Sequence, residues 1–169
     1  LCVGSTGDSL LRTVLSDGSV MKQNLEAIRE YYDKTGYMYR WFYYDRDSLG
    51  MHYGFWDESA KTKRDALVKQ YKVAKEILNP IEGQTILDAG CGVGGASLWL
   101  AKETKAKYVG ITLSPRQLEE AEKHAVERGV ANRISFLLKD YHHTGFADET
   151  FDGIFAIESA CYANLDVFL

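Results

Sequence analysis

Cysteine is scarce. The three in the chain, Cys2, Cys91 and Cys161, lie far apart and are odd in number. That spacing builds neither a metal-ligand pair nor a disulfide framework, so no metal is expected and a reduced, cytoplasmic setting fits. No apolar run reaches the roughly 18–20 residues needed to span a bilayer, which argues against stable membrane insertion. Leu1 to Val20 lacks a basic stretch followed by an apolar one, so it is not a signal peptide and reads instead as a mobile leader. Basic charge is not in excess either: 20 Lys and Arg face 24 Asp and Glu, a net charge of −4. Nucleic-acid binding ordinarily leaves a basic patch, because neutralising phosphates supplies much of the affinity. The basic residues here are dispersed, so a nucleic-acid partner is disfavoured. The first residue is not Met, and the natural start is expected to lie upstream.

What is present is enough for one domain with a genuine core: 169 residues, 46% hydrophobic and 26% charged. After the leader (1–20), residues 21–80 form an aromatic-rich, helical N-terminal segment. In it, Met21 to Asp33 has apolar residues at helical spacing, and the aromatics continue to Trp56. They serve either as ordinary core or as the wall of a pocket. A long helix from near Ser59 to Leu78 follows, with Ala66, Leu67, Tyr71, Ala74, Ile77 and Leu78 on one side. Asn79-Pro80 stops it.

From residue 81 to 169 the rhythm becomes strand, turn, helix, strand. Strands are expected at Thr85–Ala89, Tyr108–Thr112, Ile134–Leu138 and Phe151–Ile157, with helices at Ala96–Lys102 and Pro115–Arg128. Alternating β and α elements with apolar strands predict an α/β fold, a parallel sheet with helices on both faces. Ser114 suits the N-cap of the second helix, Pro115 its first position and Gln117 the capping-box position, while Gly129 ends it.

The most informative stretch is Asp88-Ala89-Gly90-Cys91-Gly92-Val93-Gly94-Gly95. A buried strand runs into a glycine turn that opens a helix, where free N–H groups and close backbone approach favour a ligand. Gly90, Gly92 and Gly95 satisfy the dinucleotide-binding pattern, so a nicotinamide-dependent oxidoreductase has to be weighed. Against it, the next strand ends in Gly110-Ile111-Thr112-Leu113-Ser114 without the acid that would hold a ribose 2′-hydroxyl. Asp88 would also repel a pyrophosphate and attract a cation.

These residues resemble the first motif of the class I methyltransferases. Gly110-Ile111-Thr112-Leu113-Ser114-Pro115-Arg116-Gln117 is similar to the second-strand motif of the cyclopropane fatty acid synthase, sterol and tocopherol methyltransferase group. Met51-His52-Tyr53-Gly54-Phe55-Trp56-Asp57 resembles the His-x-Gly-aromatic segment of tocopherol and natural-product methyltransferases. The resemblance implies a Rossmann-like sheet, S-adenosylmethionine as cofactor and a small-molecule acceptor. It implies cofactor contacts from Asp88, Gly90, Cys91, Gly92, Gly94, Thr112, Leu113 and Gln117, the last as a ribose ligand, a cap for its own helix, or both. Asp140 is expected to meet the adenine amino group, with Tyr141 beside it. Glu158 and Tyr162, at the carboxyl edge of the fourth strand, are expected to face methyl donor and acceptor.

Methyl transfer mainly requires alignment and exclusion of water. An aromatic wall suits a sulfonium through cation–π attraction, with Tyr31, Tyr32 or Trp56 as candidates. Where the acceptor must lose a proton, His52, His142, His143 or Glu158 is the candidate base. The resembling domain has seven strands and only four are visible here, so the chain reads as a C-terminally truncated domain. The alternative is then a cofactor-binding but inactive module. Were these 169 residues the whole protein, the fourth strand would be a bare apolar edge, with edge-to-edge homodimers expected.

Overall fold

In the computed structural model, which describes residues 2–5, 30, 34 and 47–163, the apolar runs pair side by side into one sheet. The strands are β1 (Cys2–Ser5), β2 (Thr85–Ala89), β3 (Lys107–Thr112), β4 (Ile134–Leu138) and β5 (Gly153–Ala156). The helices are α1 (Lys63–Leu78), α2 (Gly95–Glu103) and α3 (Pro115–Glu127), and a 3-10 turn covers Ala160–Tyr162. Sheet order is β1-β5-β2-β3-β4. β5, β2, β3 and β4 run parallel, with Asp88 level with Gly110 and Phe155. The residues expected to form a helix at 21–33 and the tyrosines up to Tyr44 lie almost wholly outside the described residues.

α1 and α3 begin where a capping side chain satisfies backbone groups and end where backbone N–H groups turn back onto the last carbonyls. α1 starts later than the periodicity predicts, because Thr62 and Asp65 form a reciprocal capping box. Asn79, left-handed at φ 42°, closes its other end. α3 opens on Ser114, whose side chain accepts from the Gln117 N–H. It closes through Gly129 N–H to Val126 O at 3.1 Å and Val130 N–H to Ala125 O at 3.0 Å, the paired bonds of a Schellman ending.

The two faces of β2 separate the core by the period of two. Ile86 joins Tyr71, Leu98, Leu100, Tyr108, Phe136 and Phe155 among the helices. Leu87 and Ala89 join Ile111, Tyr141, Phe151 and Ala156 on the opposite face. Among the described residues, that second face is filled from the loops after β4 and β5, with Phe146 and Ala160 at its margin.

The N-terminal residues give a correction. The leader reads as mobile in sequence, yet Cys2–Ser5 pairs antiparallel with β5, Cys2 against Ala156 and Ser5 against Gly153. Four residues of modest apolarity carry no strand signal of their own; a vacant row of β5 N–H and C=O groups recruits them. The expected bare edge is therefore occupied, and the premise for edge-to-edge pairing goes with it.

Candidate functional site

The glycine turn sits at the carboxyl end of β2. Gly90 and Cys91 both donate N–H to Ile111 O, at 3.0 and 2.9 Å, which pins the turn to β3. The N-cap of α2 is Gly94, which has no side chain to satisfy the free N–H groups. Asp88 does this from the neighbouring strand. It is 2% exposed, and its Oδ2 accepts from Ser97 Oγ at 2.7 Å. The Ser97 N–H bonds to it as well. Burial pushes the Asp88 carboxyl up to about 7, with the Ser97 bonds pulling the other way. The carboxylate expected to attract a cation is thus first of all the tie between β2 and α2. The same burial, with the Asp88 charge adding to it, raises the Cys91 thiol well above its ordinary value, so Cys91 stays a thiol.

Gly92, at φ +55°, is in the left-handed region that favours glycine, and the space where a Cβ would stand is open apart from Gln117 Nε2 at 4.0 Å. Gln117 Oε1 accepts from Thr112 Oγ1 at 2.8 Å, and Thr112 Oγ1 in turn accepts from the Ser114 N–H at 3.3 Å. The glutamine carbonyl is therefore tied to β3, and its amide nitrogen is held over the glycine turn.

A segment from Ser48 to Trp56 closes the opposite side. His52 Nδ1 meets Tyr53 O at 2.7 Å, and its Nε2 meets the Tyr71 hydroxyl at 3.1 Å. Desolvation lowers the His52 pKa, opposed by the Tyr53 carbonyl and the Glu158 charge. Glu158, left-handed at φ 54°, accepts the Tyr53 N–H at 2.9 Å. Such a conformation is costly for a non-glycine residue and is found where the surroundings hold it. Phe55 N–H bonds to Ala66 O at 2.9 Å, docking the segment on α1.

Between these parts lies a cavity of about 1000 Å³. Its lining brings together eleven of the expected residues: His52, Trp56, Asp88, Gly90, Cys91, Gly92, Thr112, Leu113, Gln117, Tyr141 and Glu158. Gly94 is not among them: its Cβ position is blocked by Phe136 at 2.7 Å, so it serves packing. Asp140 is also outside the lining. Its Oδ1 accepts the His142 N–H at 2.9 Å and meets His142 Nδ1 at 2.8 Å, the turn geometry of a loop aspartate. His143 is exposed. Tyr162 lies in the 3-10 turn at the edge of the described region, and Tyr31 and Tyr32 fall outside it.

Sequence reasoning missed Tyr71, Lys63, Lys139 and Ser159, which also line the cavity. Tyr71 was indistinguishable from the apolar stripe of its helix. Ser159 had a signal in its position after the strand; its Oγ donates to Ala89 O at 2.5 Å, and it fills the space above Gly90.

Comparison with known proteins points to methyltransferases. A family described as a methyltransferase domain matches residues 86–168. The chain is 34% identical over 146 residues to the methyltransferase GfsG of Streptomyces halstedii, covering 85% of this chain and 51% of that protein. It is 34% identical over 103 residues to 24-methylenesterol C-methyltransferase 3 of Arabidopsis thaliana, 61% of this chain and 29% of that one. The chain thus spans about half or less of the length of these relatives. Among solved structures, geranyl diphosphate C-methyltransferase from Streptomyces coelicolor superposes with a TM-score of 0.70 at 19% identity, over 85% of this chain and 57% of that one. No helix among the described residues is long and apolar enough to cross a membrane.

Proposed function

The chain belongs to the class I S-adenosylmethionine-dependent methyltransferases, and from that premise we propose that its protein methylates a small, apolar or ring-bearing acceptor in the cavity above β2, β3 and β5. The observation that carries the reading is the cavity itself. Its volume of about 1000 Å³ is at the upper end of the 300–1,000 Å³ typical of small-molecule sites, which leaves room for an acceptor beside the cofactor. The residues fit this cofactor. Gly92 leaves the turn unobstructed, Gln117 holds an amide nitrogen beside it, and Asp88 is a buried carboxylate at the floor, suited to a cation.

When bound, S-adenosylmethionine supplies a methyl group on a positively charged sulfur. The chain's residues hold and orient. Asp88 and the α2 N-terminus fix the turn, Gln117 suits the ribose hydroxyls, and Tyr141 and Leu113 form apolar walls. Glu158 is our candidate to accept a proton where the acceptor must lose one, because its carboxylate borders the cavity. His52 is less suited, since both its ring nitrogens are engaged. Tyr53, 82% exposed, and Trp56, 62% exposed, stand at the cavity margin. Bare aromatic surface of that kind favours an apolar partner, in keeping with the sterol and geranyl diphosphate named for two of the relatives.

Isothermal titration calorimetry with S-adenosylhomocysteine, and NADH as the comparison, tests the reading. Micromolar binding of the first alone is the expected result. Binding of NADH alone would transfer the chain to the oxidoreductases, and binding of neither would refute the cofactor assignment for this chain.

A further inference from the structure

We infer that Tyr71 is a positioning residue: its buried hydroxyl holds the His52 ring and, through it, seats the segment 48–54 across the cofactor cavity. Nothing in the helical periodicity of α1 separates Tyr71 from ordinary core, and it is fully buried. Its hydroxyl does something core does not require. It lies 3.1 Å from His52 Nε2 and donates to Ser48 O at 3.2 Å, so the start of the segment and its histidine converge on one atom. The rings of His52 and Tyr71 meet edge to face at 5.4 Å.

Proton accounting says what this hydroxyl supplies. A carbonyl only accepts, so the 2.7 Å contact of His52 Nδ1 with Tyr53 O places a hydrogen on Nδ1. In the neutral ring Nε2 is then an acceptor, and the single Tyr71 O–H hydrogen is shared between it and Ser48 O, which also only accepts. Of the two neutral tautomers only the Nδ1–H form places a hydrogen against Tyr53 O and leaves Nε2 open to the Tyr71 hydroxyl, and that form fixes the ring plane. The segment's backbone is then locked at Tyr53, whose N–H is held by Glu158 from the far side of the cavity.

The same point touches the glycine motif. A Cβ on Gly95 would come 2.7 Å from Leu49 O and 2.9 Å from both Ser48 O and the Tyr71 hydroxyl. The first residue of α2 is thus bare because the segment and Tyr71 press against it. Met51, His52, Tyr53 and Gly54 border the cavity together with Gly90 and Gly92. A segment seated by Tyr71 is therefore one wall of the cavity that the cofactor would occupy. The inference rests on the cofactor reading above for its second readout, but not for its first.

The first readout needs no cofactor. In ligand-free protein, the ring-nitrogen NMR signals of His52 are expected to show the Nδ1–H tautomer with a hydrogen-bonded Nε2, and Tyr71→Phe is expected to shift Nε2 to an unbonded position. An unchanged Nε2 signal overturns the inference. The second readout is stopped-flow release of S-adenosylhomocysteine. Losing one hydrogen bond of ordinary strength predicts dissociation faster by about fivefold in Tyr71→Phe. His52→Ala, on the segment rather than in the core, serves if Tyr71→Phe fails to fold, and the two changes together should exceed neither alone by more than about twofold. Release rates unchanged in His52→Ala overturn the inference even where wild type binds well. Failure of wild type to bind refutes the cofactor reading instead and leaves the NMR result to decide Tyr71.

Discussion

Asp88→Asn separates the two roles of the buried carboxyl. In the folded chain Asp88 rises from 3.8 to about 7, because burial disfavours its charge more than the Ser97 bonds favour it. The native state therefore holds this proton more tightly than the unfolded chain does. The stability Asp88 contributes is complete below about 3.8, declines as pH rises toward about 7, and is lost above that. A rise of that size corresponds to about 4 kcal/mol, which sets the scale of the decline. Asparagine is neutral throughout and its carbonyl still accepts from Ser97, so the ligand-free variant should be more stable than wild type near pH 8, by up to that amount. At pH 4 the two should be nearly equal. Urea unfolding followed by circular dichroism at pH 4, 6 and 8 measures this, and the wild-type-minus-variant difference isolates Asp88. That subtraction matters because His52, with a lowered pKa, contributes the opposite slope: its share is present above about 6.5 and lost as pH falls. A variant less stable than wild type at pH 8, or a difference that does not vary with pH, would refute the reasoning. A cationic cofactor prefers the ionised carboxylate, so S-adenosylmethionine should bind wild type more tightly as pH rises through about 7 and lose that dependence in the variant.

Two further outcomes follow from contacts described above. Gly95→Ala brings a gain and a loss: better helix propensity is worth about 1 kcal/mol at most, while crowding against two carbonyls and a hydroxyl costs about 1–3 kcal/mol. A net loss is expected, read as a lower midpoint in thermal unfolding, and an increase would show that the segment yields easily. Deleting residues 1–5 bares the outer edge of β5, and concentration-dependent association in analytical ultracentrifugation should appear. A deletion variant that stays monomeric at high concentration would show that β1 does not protect that edge.

Much of the fold was legible because its signals are local. The strand at Thr85–Ala89 is a short apolar run ending in glycines, and α3 carries its own start and stop at Ser114, Pro115 and Gly129. The glycine turn was legible for the same reason, since strand, turn and helix follow one another within ten residues. The lining that this turn contributes to the cavity was therefore largely readable from Asp88, Gly92, Thr112 and Gln117. That His142 engages Asp140 was not legible, because nothing in the local sequence records that contact.

What the sequence by itself determined is the order of elements, the glycine turn and the chemistry of the residues at the carboxyl ends of the strands, all consequences of periodicity and backbone geometry within short windows. The tertiary structure alone decided three things. It turned Asp88 into a cap of α2, because a glycine N-cap offers no side chain and Asp88, on the neighbouring strand, meets the Ser97 N–H. It recruited Cys2–Ser5 to β5, about 150 positions away, because an unpaired sheet edge takes whatever extended backbone lies beside it. And it joined Tyr71, His52 and Gly95 at one point, since a hydroxyl's partners are set by the packing of helix on segment, which no spacing along the chain records.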